Sequence, residues 1–124
     1  MISDWLEITQ DLVDRFADVT GDRQWIHTDP SRGETIAHGF LTLSLLPALL
    51  RQAVPRGDIE KSINYGLDRV RFVAPVKVGS RVRARFERAS EEEKDGATKV
   101  IWKATVENEE QACCFAEWIV LYYR

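Results

Sequence analysis

The chain is poor in the residues that mark secreted, metal-binding or disordered proteins. Its 124 residues include two cysteines, four prolines and seven glycines. The cysteines are the neighbours Cys113 and Cys114. Because adjacent residues of a strand point to opposite faces, we expect no disulfide between them, and no Cys-x-x-Cys metal motif is present. So little glycine and proline excludes a disordered or fibrous chain. Free thiols favour a reducing, cytoplasmic location.

Long hydrophobic runs and an excess of positive charge are also missing. The longest apolar run, residues 40–50, is far shorter than the ~20 residues that a membrane-spanning helix needs. The first five residues lack the basic and apolar regions of a signal peptide. The net charge of −3 argues against a nucleic-acid binder. No P-loop, Gly-x-Gly-x-x-Gly or Gly-x-Ser-x-Gly motif occurs. We therefore expect neither a membrane nor a nucleic acid as a partner.

The pattern of apolar residues changes once, near residue 63. Before it, Thr9 and Gly21 have the properties of a helix N-cap and C-cap. Residues 39–52 are apolar almost all round, which predicts a buried helix that Pro47 would either kink or leave with one unpaired carbonyl. Strand patterns follow at residues 63–73, 81–87, 100–106 and 115–122. The order predicts one α+β domain over residues 1–124, with an antiparallel sheet curved around a long helix.

Histidine is scarce, and both histidines lie between the predicted helices. Asp22 precedes His27 by five residues, and a turn at Gly21 would bring the two side chains together. A carboxylate beside an imidazole can hold one water and transfer protons in both directions. Alternatively, Asp22 caps a turn and His27 is a buried residue bonded to a backbone carbonyl. The spacing leaves both interpretations open.

The residues that open the buried helix are the second candidate site. The N–H of Gly39 lies at a helix N-terminus, where negative charge is stabilised and an oxyanion could be held. The alternative is that Gly39 only permits close packing. The pattern favours a structural role for His38. A metal site made of His27, Asp29 and His38 is disfavoured, because their spacing fits no metal motif and Asp29 precedes Pro30 as a helix N-cap.

Two segments resemble the hydratase motif of the MaoC-like (R)-specific enoyl-CoA hydratases. They are residues 22–30, Asp-Arg-Gln-Trp-Ile-His-Thr-Asp-Pro, and residues 36–41, Ile-Ala-His-Gly-Phe-Leu. The run from Gln24 to His27 is similar to the nodulation protein N-like branch. Shorter matches follow at residues 64–67, 70–72, 74–76 and 78–80. The resemblance covers nearly the whole chain. It implies a single hotdog fold, with a long central helix wrapped by a curved antiparallel sheet, and a homodimer joined through the sheet edges.

The same resemblance implies reversible syn hydration of a trans-2-enoyl-CoA to an (R)-3-hydroxyacyl-CoA. It assigns Asp22 and His27 to activation of the water and the N–H of Gly39 to polarisation of the thioester carbonyl. Gln24 and His38 become candidate substrate-binding residues. The acyl-CoA thioester carries its own activation, so neither a cofactor nor a metal is expected. Residues 31–35 form a shorter link than the family pattern has, which predicts a more open acyl pocket.

Two other functions remain compatible with the sequence. An acyl-CoA thioesterase on the same fold would aim the water at the carbonyl carbon instead. The pairing of Asp22 with His27 favours hydration. A non-catalytic acyl-thioester-binding module would bury Asp22 and His27 in structural hydrogen bonds, with no cleft beside them.

Overall fold

Four short helices precede most of a five-stranded sheet in the computed structural model, which describes residues 1–124. The helices are α1 (Gln10–Thr20), α2 (Trp25–Thr28), α3 (Gly39–Ser44) and α4 (Leu46–Ala53), with one turn of 3₁₀ helix at Pro30–Arg32. The strands are β1 (Leu6–Glu7), β2 (Lys61–Phe72), β3 (Arg81–Lys94), β4 (Ala97–Glu107) and β5 (Ala112–Tyr123).

Local capping fixes both ends of α1, as the sequence predicts. The Thr9 hydroxyl accepts a hydrogen bond from the Leu12 N–H at 3.1 Å. Gly21 ends the helix with φ of 84°, a left-handed conformation that glycine adopts without strain. The predicted start at Asp29 and Pro30 is confirmed as the single 3₁₀ turn, where the Asp29 side chain accepts from the Ser31 N–H.

The predicted long central helix is divided into two helices, which corrects the expectation of one continuous element. α3 ends at Ser44, and α4 begins after Leu45. Pro47 lies in the first turn of α4 because it has no N–H to donate and its ring would clash with the carbonyl four residues earlier. The predicted kink is confirmed, and the two helices together occupy the place of the central helix.

The sheet has the strand order β1-β3-β4-β5-β2, and every pair is antiparallel. It curls over the helices, with α3 packed on β5 and α4 on β3. Alternate residues of β4 face the core: Val100, Trp102, Ala104 and Val106. This arrangement confirms the expected hotdog fold. β2 is an edge strand, with a bulge between Asn64 and Gly66.

Some local features differ from the predictions or were missed. The two-residue strand β1 and the single-turn helix α2 are too short to show a period. β3 continues to Lys94, beyond the strand pattern at residues 81–87, and the turn is Asp95–Gly96, where both residues have positive φ. Burial raises the pKa of the free thiol of Cys114 to about 11. No helix combines the length and the apolar character needed to cross a membrane.

Candidate active site

Asp22 and His27 come together at the corner between α1 and α2. The turn at Gly21 reverses the chain, and the single turn of α2 then carries His27 back toward it. A hydrogen bond of 2.9 Å from the Ile36 N–H to the Ile26 carbonyl ties α2 to the next segment. His27 Nε2 and Asp22 Oδ2 end up 3.9 Å apart. The predicted proximity of the two groups is therefore present.

A hydrogen bond fixes which nitrogen of His27 is available for chemistry. His27 Nδ1 lies 2.7 Å from the backbone carbonyl of Ile36. A carbonyl can only accept, so Nδ1 carries the proton. In the neutral ring Nε2 then has a free lone pair, and this is the nitrogen that faces Asp22. His27 is thus oriented as a proton acceptor.

The space between the two groups is suited to a small polar molecule. The separation of 3.9 Å is too long for a direct hydrogen bond. One side chain is open to solvent and the other is not: Asp22 is 42% exposed, and His27 is 7% exposed. A water lying between them could donate to both acceptors. Asp22 is therefore reachable from solvent, whereas His27 is almost fully buried.

Gln24 holds the carboxylate of Asp22 on the side away from His27. Its side-chain amide donates to Asp22 Oδ1 at 3.2 Å, and its backbone N–H lies 3.4 Å from the same oxygen. The hydrogen bond from the Gln24 side chain is the main reason that the pKa of Asp22 is lowered. Asp22 is ionised at neutral pH, with Oδ2 directed at His27. A substrate contact by Gln24 stays a prediction.

His38 lies behind the pair, buried and in contact with both members. Its Nε2 donates to the backbone carbonyl of Asp22 at 2.8 Å. Its ring stacks on that of His27, with centroids 3.8 Å apart, and Phe16 packs against it at 5.0 Å. The remaining nitrogen, Nδ1, is buried without a partner. These contacts position the catalytic candidates, while a direct role of His38 in substrate binding stays a prediction.

Gly39 begins α3, so its N–H belongs to the first turn, where amides have no intrahelical partner. Close packing is also evident, because a Cβ at Gly39 would lie 3.1 Å from the ring of Phe72. The residue lines a cavity of about 160 Å³. The geometry is compatible with both interpretations, and the oxyanion role stays a prediction.

Gln10 and Thr35, which the sequence does not indicate as part of the site, hold α2 in place. The Gln10 side chain donates to the carbonyl of His27 at 2.7 Å and to Asp14 at 2.9 Å. Its oxygen accepts from the Thr35 hydroxyl at 2.7 Å. Gln10 precedes His27 by 17 residues on another element, so no local pattern connects them.

The metal-ligating atoms of Asp22, His27 and His38 lie within 4.8 Å of one another. A metal ion lies ~2.0 Å from a histidine nitrogen, near the plane of its ring. The two rings are 3.8 Å apart and only 24° from parallel, so one ion cannot lie near the planes of both. Asp29 is engaged with Ser31 instead. This geometry does not fit a metal ion without rearrangement.

Comparison with known proteins shows the family of this chain. The model of the MaoC like domain matches residues 2–111. The 3-hydroxyacyl-thioester dehydratase Z of Mycobacterium tuberculosis is 50% identical, over 97% of this chain and 85% of that protein. Nodulation protein N of Rhizobium leguminosarum bv. viciae is 46% identical, over 96% of this chain and 81% of that protein. The unliganded (R)-hydratase of Pseudomonas aeruginosa has a TM-score of 0.83 at 25% identity, covering 100% of this chain and 81% of that chain.

Both relatives contain residues that this chain lacks, because the alignments run over 129 and 131 positions, more than the 124 residues of the chain. That these residues fall in the link after α2 stays a prediction. The chain passes from α2 to α3 with one 3₁₀ turn and an isolated bridge between Ile36 and Lys77. No further helix covers Asp22 from this side.

Proposed function

This chain belongs to the MaoC-like dehydratase family, and we propose that it interconverts trans-2-enoyl-CoA and (R)-3-hydroxyacyl-CoA by adding or removing water. The observation that carries the proposal is the gap of 3.9 Å between the free Nε2 of His27 and the carboxylate of Asp22. The names of its relatives, a 3-hydroxyacyl-thioester dehydratase and an (R)-hydratase, support the same reaction class.

In the proposed mechanism a water lies between Asp22 and His27 and attacks Cβ of the enoyl thioester. Its proton passes to His27 Nε2, and the carboxylate of Asp22 stabilises the imidazolium that forms. The electron pair of the double bond moves to the thioester oxygen, where the N–H of Gly39 would stabilise the charge. The pair then returns one proton to Cα from the same side. One water is consumed, the pair regains its original charge, and the addition is syn.

The substrate supplies the activation that this reaction needs. The thioester carbonyl makes Cβ electrophilic and accepts the developing charge, so we propose that no cofactor or metal takes part. Gln24 lowers the pKa of the Asp22 carboxyl, so this group is ionised at neutral pH. An ionised Asp22 suits the proposal because it can stabilise the imidazolium of His27. The thioester carrier is proposed to be CoA.

Hydration of crotonyl-CoA by the wild type and by Asp22→Asn tests the proposal. We expect the enoyl absorbance to fall with the wild type, and a loss of ~10²–10⁴-fold in kcat with the variant, as for removal of a positioned acid–base group. The control is Asp18→Asn, which removes an exposed carboxylate paired with Arg23 near the same corner. This variant should hydrate crotonyl-CoA normally.

A thiol reagent in a parallel reaction separates hydration from the other candidates. Release of free CoA without loss of the enoyl group would identify a thioesterase and contradict the proposal. Neither reaction, with retained binding of acyl-CoA, would identify a binding module. Of the two side chains that such a module would bury, Asp22 is 42% exposed and His27 is 7% exposed, so the assay rather than the burial separates the two functions.

The edge of the sheet supports a homodimer as the functional unit. β2 has no neighbour on one side, yet it exposes Ile63, Tyr65 and Leu67, each more than 40%. Apolar residues on an open edge strand are typical of a surface that pairs with a second chain. We expect sedimentation to give a dimer, and Leu67→Lys to shift it to monomer. Val19→Lys, at an exposed site on α1, is the control. A monomeric wild type would contradict the proposal.

The remaining sequence predictions belong to the same proposal. Residues 1–124 act as one MaoC-like hotdog domain. The buried thiols of Cys113 and Cys114 suit a reducing, cytoplasmic location, and fractionation of the native cells would test it.

A further inference from the structure

Four residues around the candidate active site form a closed circuit of hydrogen bonds. The side-chain amide of Gln10, at the start of α1, donates to the backbone carbonyl of His27 at 2.7 Å. The imidazole of His27 donates from Nδ1 to the carbonyl of Ile36 at 2.7 Å. The preceding residue, Thr35, closes the circuit, because its hydroxyl donates to the side-chain oxygen of Gln10 at 2.7 Å. We call Gln10, His27, Thr35 and Ile36 the Gln10 circuit.

Each bond of the Gln10 circuit has a fixed direction. The amide nitrogen of Gln10 faces two acceptors, the carbonyl of His27 and, at 2.9 Å, the carboxylate of Asp14. The amide oxygen is therefore the atom that faces Thr35, and the hydroxyl of Thr35 is its donor. The carbonyl of Ile36 can only accept, so the circuit is complete only when His27 carries its proton on Nδ1.

The circuit joins α1, α2 and the link to α3 at a buried position. His27 and Thr35 are each 6% exposed, so solvent does not readily replace a bond that either of them loses. The link is also held from its other side, where the carbonyl of Thr35 accepts from the Val78 N–H at 3.0 Å. Gln10 therefore holds α2, and with it the ring of His27, against a link that is already anchored.

The tautomer of His27 decides what the gap beside it can hold. With the proton on Nδ1, the facing atoms Nε2 and Asp22 Oδ2 are both acceptors, so no direct bond forms across their 3.9 Å and a water that donates to both is favoured. With the proton on Nε2, His27 would donate to Asp22, and an approach of about 1 Å would suffice. The pair would then close on itself. Histidine in water favours the Nε2–H tautomer, so the protein has to impose the other one.

We propose that the Gln10 circuit is a tautomer lock, in which Gln10 and Thr35 are positioning residues that keep His27 in the Nδ1–H form and so prevent its direct bond to Asp22. The inference rests on the proposed function, which gives Nε2 of His27 the proton of the attacking water. It assigns a part in the reaction to two side chains that contact neither the substrate nor that water.

The tautomers can be measured directly, because the chain contains only two histidines. His38 donates from Nε2 to the carbonyl of Asp22, so the two rings should have opposite tautomers. Long-range proton–nitrogen NMR correlation spectra, at a pH at which both rings are neutral, distinguish a protonated ring nitrogen from an unprotonated one. His38→Phe identifies the signals of His27. A wild type in which His27 carries its proton on Nε2 would overturn the inference.

Matched variants open the circuit without changing the catalytic pair. Gln10→Leu removes the amide, and Thr35→Val removes the hydroxyl at nearly constant shape. Thr35→Ser retains the hydroxyl and serves as the conservative variant. Gln52→Leu is the control, because it removes a glutamine of α4 that accepts from the Asp4 N–H and lies outside the circuit. Thermal unfolding checks that each variant is folded at the assay temperature.

We expect Gln10→Leu and Thr35→Val to populate the Nε2–H form of His27 while the signals of His38 stay unchanged. In both variants kcat for crotonyl-CoA should fall ~10-fold with little change in KM, since displacement of a catalytic group by about 1 Å costs up to ~10²-fold. Thr35→Ser and Gln52→Leu should match the wild type in tautomer and in kcat.

The two measurements separate the lock from the proposed function. The double variant of Gln10→Leu and Thr35→Val should be little worse than either single variant, because both open the same circuit, and additive losses would contradict a shared circuit. An unchanged tautomer in both single variants would overturn the lock, as would a shifted tautomer with unchanged kcat. The expected tautomers in a wild type that does not hydrate crotonyl-CoA would support the lock while contradicting the proposed function.

Discussion

Two charged clusters of the molecule differ in whether their hydrogen bonds are complete. On β3 and β4, Arg83 and Arg85 both donate to the carboxylate of Glu107, which is 18% exposed. At the candidate active site, His27 and Asp22 face each other across 3.9 Å with no direct bond. The first cluster has no room for a reactant, and the second has room for a water. Complete pairing contributes to stability, whereas incomplete pairing leaves groups available for chemistry.

The clusters also differ in how the fold assembles them. Arg83 and Glu107 are register partners on adjacent strands, so the β3–β4 hairpin alone brings them together. The corner depends instead on three separate segments, the turn before α2, α2 itself and the residue before α3. Its geometry relies on one side chain, His38, that contacts both Asp22 and His27.

The largest effect is expected when His38 is replaced, because its side chain contacts both Asp22 and His27. In His38→Ala the carbonyl of Asp22 loses its donor and the ring of His27 loses its stacking partner. We expect kcat for crotonyl-CoA to fall ~10²-fold with little change in KM, since displacement of a catalytic group by about 1 Å has that cost. His38→Phe retains the stack without the hydrogen bond and should lie between Ala and wild type.

A double-mutant cycle identifies His38 as a positioning residue. If His38 acts through Asp22, then His38→Ala should have almost no further effect on kcat in the Asp22→Asn background. Additive losses, or a loss confined to KM, would instead indicate a separate contact with substrate. Thermal unfolding of each variant checks that the changes in kcat come from folded protein.

The sequence predicts most of the fold, because the signals for its elements are local. Thr9 and Gly21 mark the ends of α1, Pro47 marks the kink, and the alternation in the second half marks the strands. β1 and α2 escape prediction, since two or four residues cannot show a period.

The sequence predicts which residues form the candidate site, but it does not predict how these residues are arranged. The scarcity of histidine and the motif around residues 22–30 identify Asp22 and His27. The hydrogen bond from His27 to the Ile36 carbonyl, which fixes the tautomer of His27, and the support from Gln10 join residues nine and 17 positions apart. Such contacts follow from tertiary packing, so spacing alone could not distinguish a reactive pair from a buried structural one.

A smaller effect is expected when the cluster of Arg83, Arg85 and Glu107 loses its shared carboxylate. Glu107→Gln removes the shared acceptor of Arg83 and Arg85, and we expect a loss of about 1 kcal/mol in unfolding free energy at neutral pH, without loss of crotonyl-CoA hydration. Hydrogen bonds, first from Arg85 and then from Arg83, hold the pKa of Glu107 below its ordinary value.

The lowered pKa of Glu107 determines how its contribution to stability changes with pH. Because the pKa of Glu107 is lower in the folded state than in the unfolded chain, its stabilisation is complete above the ordinary carboxyl pKa. It is lost as the pH falls through the lowered value, so urea denaturation of wild type and Glu107→Gln should converge in acid. Glu109→Gln, which opens the exposed pair with Arg81, is the control and should cost less. A difference between wild type and Glu107→Gln that persisted in acid would mean that the side chain stabilises the sheet by packing and not by its charge.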